Sequence, residues 1–112
     1  MLTVYVAHPL GQGPDRETNR VNAAKWCAWI ARTFKCATIA DWIVISGQWE
    51  ETDDNRAAGL EIDKELVGRA DQLWLVGGRV SPGMQIEAEH ARSLGIPVID
   101  LTALGFTCPG AA

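Results

Sequence analysis

The chain has 112 residues, 47% of them hydrophobic and 21% charged, with a formal net charge of −4. That is the composition of one globular domain over residues 1–112, which buries roughly 60–70% of its unfolded surface and needs no disulfide framework. The ten Lys and Arg residues are scattered singly, which excludes a binder of nucleic-acid polymers, because neutralising backbone phosphates needs clustered cations.

Leu2 to Ala7 is a short β-favouring run, broken at once by His8-Pro9-Leu10-Gly11-Gln12-Gly13-Pro14. Asp15 to Phe34 has a helical period, with Val21, Ala24, Cys27, Ala28 and Ala31 on one face. Ala37 to Ile45 reads as a buried strand, Ser46 to Asp53 as a polar loop and Asp54 to Arg69 as a second helix. Gln72 to Val76 is a strand ending at Gly77-Gly78. Ser81-Pro82 starts a third helix, which runs to about Leu94 and is closed by Gly95. Ile96 to Leu101 is a further strand, and Leu104 to Thr107 is a candidate edge strand ahead of the short tail. Strands alternating with helices predict an α/β three-layer sandwich around a parallel, flavodoxin- or Rossmann-like sheet of four to five strands. Ligands in such sheets bind beyond the carboxyl ends of the strands, which places the 8–13 and 77–83 loops on the working edge.

Cys27, Cys36 and Cys108 are odd in number and share no metal-ligand spacing, so they read as reduced thiols. No apolar run reaches the roughly 18–20 residues of a membrane span, and Met1 to Ala7 lacks the basic lead-in of a signal peptide. The expectation is a cytoplasmic protein without membrane contact, metal or cofactor.

Two acids fall where a core should be. On the third helix Glu87 projects within the stripe Met84, Ala88, Ala91 and Leu94, whereas Glu89 points away. On the second helix Asp63 sits amid Leu60, Leu66, Val67 and Ala70, while Glu61, Glu65 and Arg69 take the outer face. An inward carboxylate costs several kcal/mol unless it is paired or solvated. Proximity to a helix start accounts for Glu87 as an alternative to function, and less well for Asp63. The loop Gly77-Gly78-Arg79-Val80-Ser81-Pro82-Gly83 is compatible equally with helix capping by Ser81 and with phosphate binding. Neither glycine-bearing loop carries a dinucleotide fingerprint or a Walker lysine.

Three stretches together resemble the nucleoside 2-deoxyribosyltransferase superfamily, especially its small members that act on deoxynucleoside 5′-monophosphates. They are Val4-Tyr5-Val6-Ala7-His8-Pro9-Leu10-Gly11; Asp63 followed by Ala70-Asp71-Gln72-Leu73-Trp74-Leu75-Val76; and Ser81-Pro82-Gly83-Met84-Gln85-Ile86-Glu87, leading through Ala91 and Gly95 to Pro97-Val98. The resemblance implies cleavage or transfer at the N-glycosidic bond of a (deoxy)nucleoside or its 5′-monophosphate. Glu87 would be the nucleophile at the sugar C1′, and Asp63 would position or protonate the base. Tyr5 with His8, Pro9, Leu10 and Gly11 would line the nucleoside pocket. Ser81, Pro82, Gly83 and Met84 would also bind the substrate, with Ser81 and Gly83 at a 5′-phosphate. The first loop departs from the family's Arg-containing, Gly-rich form, and Gln85 stands where a Gly is common.

In this chemistry Asp63 benefits from a pKa raised by burial, while Glu87 works ionised, favoured by its helix dipole. Trp26 and Trp29, with Ile30, lie off the apolar face of the first helix and predict a homodimer or higher homo-oligomer through that face. Trp42 and Trp49 flank a loop where either is placed to stack on a base, core packing being the simpler role for Trp42. The alternatives are a non-catalytic nucleotide-binding or sensing module of the same fold, and a structural subunit whose Trp-rich face binds another protein.

Overall fold

A computed structural model describes residues 1–110; Ala111 and Ala112, the end of the expected domain, lie outside the described residues. The elements in order are β1 (Thr3–Ala7), α1 (Asp15–Phe34), β2 (Ala37–Ile39), α2 (Trp42–Ser46), α3 (Asp53–Val67), β3 (Gln72–Leu75), α4 (Pro82–Ser93) and β4 (Val98–Asp100). A 3-10 turn follows at Thr102–Leu104. The four strands pair in parallel in the order β2-β1-β3-β4. The chain leaves β1 toward β2 on one side and returns to β3 on the other, so a crevice opens beyond the carboxyl ends of β1 and β3.

Successive strand residues point to opposite faces, and both faces are covered. Val4, Val6, Trp74 and Val76 pack with Trp26 and Ile30 of α1. Tyr5, Ala7, Leu73 and Leu75 pack with Val67 of α3 and Met84, Ala88 and Ala91 of α4. This is a three-layer α/β sandwich with a flavodoxin-like strand order. Among the described residues no helix is long and apolar enough to cross a membrane, and the three cysteines are unpaired.

Three expectations are corrected. The stretch from Ala37 to Ile45 is not one strand: pairing with β1 stops at Ile39, and α2 follows. Trp42, Ile45 and Trp49 have the i, i+3, i+7 spacing of a helix face. The Trp42 indole Nε1 donates to the Val6 carbonyl at 3.0 Å, and the Arg20 guanidinium donates to the Ile43 carbonyl at 2.9 and 2.8 Å. These bonds fold the segment over the end of β1 instead of extending the sheet. Second, residues 104–107 form no strand; Gly105 and Phe106 instead lie against Gly78, where an added Cβ would come within 2.8 Å of the Gly105 carbonyl carbon.

Third, α1 is rotated relative to the expected wheel. Ala23, Trp26 and Ile30 are buried, while Val21 is 46% exposed and Ala24 and Ala28 face solvent. Two large side chains remove far more apolar area from water than a row of alanines, and they decide the inward face. Trp26, Trp29, Phe34 and Trp74 form an edge-to-face chain with ring centroids 5.7, 5.6 and 5.0 Å apart. Trp26 is thus not part of an exposed face, and Trp29 is half-buried beside it. Leu94, expected in the α4 stripe, is also exposed. Trp26→Ala is expected to destabilise the protein by about 3–5 kcal/mol in urea unfolding, whereas Val21→Ala changes stability by no more than about 0.5 kcal/mol.

Candidate active site

The crevice is a cleft of about 450 Å³, within the range of small-molecule sites. Its floor is the pair of acids. Glu87, on the inward face of α4, is only 6% exposed. Its Oε2 accepts a hydrogen bond of 2.5 Å from the hydroxyl of Tyr5, which β1 points to the same face of the sheet. Asp63, on α3, faces the same cluster, near enough that its carboxyl and those two groups shift one another's ionisation. Thus one strand and two helices converge on a cluster of one phenol and two carboxyls.

Burial dominates the electrostatics of this cluster. It raises Glu87 to about 8; the Tyr5 hydrogen bond opposes the shift and the charge of Asp63 adds to it. Burial also raises Asp63 to about 6, against hydrogen bonds from Tyr5 and Glu87, with the Asp41 charge adding to the rise. Tyr5 is held well above the usual phenol range by burial and by both carboxylates, so it remains a donor. The expectation that the α4 dipole keeps Glu87 ionised does not survive desolvation: the two acids titrate as a pair that shares a proton near neutral pH.

The walls come from the two expected loops. Ser81 is the N-cap of α4: its Oγ accepts from the Met84 amide at 3.3 Å, and the Ser81 amide donates to Met84 Sδ at 3.3 Å. Pro82 and Gly83 border the same opening, and nothing lies within 4 Å of a Cβ built on Gly83. Leu10 and Gly11 line the opposite wall. His8 is buried, with Nδ1 2.6 Å from the Pro9 carbonyl. A carbonyl only accepts, so Nδ1 carries the proton, and Nε2 keeps a lone pair with no hydrogen-bond partner. Burial, aided by the Arg79 charge and opposed by the Pro9 bond, holds His8 below its ordinary pKa. The ring packs on Gly77, where φ is +100° and an added Cβ would come within 2.7 Å of His8 Nε2, so there is no room for a side chain.

Two of the expected pocket residues do not line the cleft. Tyr5 sits behind Glu87, and Pro9 is in the core. Conversely, sequence reasoning missed the outer half of the site, including Gln12, Arg16, Asn55 and Arg56. Asn55, Arg56 and Gly59 precede Asp63 by eight, seven and four residues, so the helical period through Asp63 was a usable signal. Among the described residues no group of three His, Cys, Asp or Glu side chains is arranged to hold a metal ion.

The family described as a domain of unknown function, DUF7768, matches residues 2–101. The chain belongs to that family. A search of curated proteins finds no match. Among solved structures, this DUF7768 chain is similar in fold to the 2-deoxyribosyltransferase of the psychrotolerant bacterium Bacillus psychrosaccharolyticus, with a TM-score of 0.61 at 18% identity. The likeness covers 88% of this chain and 70% of the other.

The raised Glu87 pKa has a consequence for stability. The folded-state value lies above the unfolded one, so burial of the neutral acid carries no ionisation cost below about 4.5, and stability falls as pH rises from there to about 8. Glu87→Gln keeps an acceptor for Tyr5 and removes this loss. Thermal unfolding is expected to show equal midpoints for both proteins near pH 4 and a midpoint at least about 5 °C higher for the variant at pH 9.

Proposed function

We propose that this protein cleaves or transfers at the N-glycosidic bond of a (deoxy)nucleoside or its 5′-monophosphate, within a single domain of the nucleoside deoxyribosyltransferase type. The observation that carries this reading is the buried Glu87 carboxyl, hydrogen-bonded to Tyr5 and facing Asp63 on the floor of the cleft. The fold likeness to a 2-deoxyribosyltransferase supports it.

Between about pH 6 and 8 the pair holds one proton, which rests mainly on Glu87; the reactive form is the tautomer with that proton on Asp63 and Glu87 ionised. The Glu87 carboxylate attacks C1′ while the C–N bond breaks, its electron pair passing to the base nitrogen and the proton of Asp63 going to the departing base. Tyr5 orients the attacking carboxylate. Water or a second base then displaces Glu87 from the sugar, with Asp63 accepting the proton from water, and the two displacements give net retention. Ser81 and Gly83, at the positive end of α4, receive a 5′-phosphate when one is present. That remote contact holds the sugar over Glu87.

Chromatographic detection of free base from a panel of nucleosides and monophosphates tests this function. A second base added to the same assay separates transfer from hydrolysis. Glu87→Gln is expected to lower base release by about 10³-fold or more, and a parent rate in that variant contradicts the nucleophile role. The pH profile of kcat/KM is expected to be a bell, rising through about 6 and falling through about 8. Below the first limb both acids are protonated and no nucleophile exists; above the second neither has a proton to give.

A further inference from the structure

The outer half of the cleft is not used by the glycosidic chemistry, yet it is built. α2 and the residues after it bring Trp42, Ile45 and Trp49 to one wall. The first is locked: its indole donates to Val6 and its ring is buried. Trp49 is not; it lines the cleft and remains 39% exposed. An indole held at a cleft wall with much of its surface open presents a π-face to whatever enters. The segment carrying it is fastened to α1, since Arg20 binds the Ile43 carbonyl and Arg16 donates to the Ser46 carbonyl at 3.3 Å.

Facing this wall, α3 extends from Asp63 back through Gly59 to Asn55, a distance of roughly 12 Å along the helix and lined by the same cleft. The Asn55 carboxamide is half used: its Nδ2 donates to the Glu50 carbonyl at 2.9 Å, which leaves Oδ1 as an acceptor. The Gln12 carboxamide, turned so that its oxygen accepts from the Arg56 guanidinium, leaves its NH₂ as a donor. One free donor and one free acceptor beside an open indole match a planar heterocycle that carries both a carbonyl and an N–H or amino group on its edge.

We propose that Trp49, with the side-chain amides of Gln12 and Asn55, forms the base-recognition end of the cleft, Trp49 stacking on the nucleobase and the two amides reading its edge. This rests on the nucleoside reading above, with the base directed away from Ser81, past Asp63 and toward α2. Gly59, with no side chain between Asp63 and Asn55, leaves the path open.

The test uses the full chain with deoxynucleosides carrying each of the four bases. Stacking of this kind makes Trp49→Ala raise KM about 10-fold or more with kcat within about twofold, and Trp49→Phe recover most of the loss. Inhibition by 2-deoxyribose 5-phosphate, which has no base, stays unchanged in both variants; weakening of that inhibition in step with KM means a structural role and overturns the proposal. Asn55→Leu and Gln12→Leu alter the ranking of the four bases, and an unaltered ranking overturns the edge-reading half. If the parent protein releases no base, nucleoside titration followed by Trp fluorescence separates the two ideas. Saturable quenching that disappears in Trp49→Phe upholds the base site while the catalytic reading falls, and no saturable quenching removes the base site as well. Turnover with KM unchanged in Trp49→Ala overturns this inference alone.

Discussion

Holding the Glu87 carboxyl inside the protein, against the Tyr5 hydroxyl, is the constraint around which the rest of the site is arranged. An acid at that depth is unfavourable unless a donor meets it, and the Tyr5 hydroxyl is that donor. Tyr5 comes from the central strand β1, whose alternation points residues 5 and 7 toward α3 and α4. The parallel register that sets Tyr5 beside Leu73 fixes that donor, and α4 packs on the same face through Met84, Ala88 and Ala91. The hydrogen bond is thus a product of the sheet and cannot drift with a loop. Asp63 then makes the cluster responsive to pH, because two acids sharing one buried space do not ionise independently.

The cleft follows from topology together with one local departure from it. Strand order reverses between β1 and β3, which opens a crevice above Tyr5. Had the chain continued β2 through Ile45, that crevice would be open on the β2 side. Instead the sheet stops at Ile39, and α2 turns back over the crevice, held by a Trp42 hydrogen bond to the sheet and by Arg20 and Arg16 from α1. The same segment supplies the aromatic wall. On the other side Gly77 permits the chain to pass under His8, and Ser81 starts α4 with its amide end open to the cleft. In this chain these features amount to a cleft with an acid floor, an α4-amide end and an aromatic end.

Much of this was legible in the sequence, for identifiable reasons. Helix periodicity singled out Glu87 and Asp63, because an acid amid Met84, Ala88 and Ala91 or amid Leu66 and Val67 is conspicuous on a wheel. The Ser81-Pro82 start and the Gly95 stop of α4 were readable as capping chemistry, and the structure has both. Equal weighting of residues failed on α1, where Trp26 and Ile30 outweighed the more numerous alanines. Local propensity failed at residues 40–46, where β-branched residues were drawn into a helix by hydrogen bonds to Val6 and Ile43 that no local window contains. The ionisation of Glu87 was misjudged because a helix dipole is visible in sequence, whereas depth of burial is a tertiary property.

The measurement that bears most directly on this account is mass spectrometry of the protein rapidly quenched in acid during turnover of a deoxynucleoside, followed by peptide mapping. The account predicts one deoxyribosyl group esterified to the peptide bearing Glu87, absent when Glu87 is replaced by Gln. Base release at full rate with the sugar on another side chain, or with Glu87 unmodified at every quench time, would contradict it.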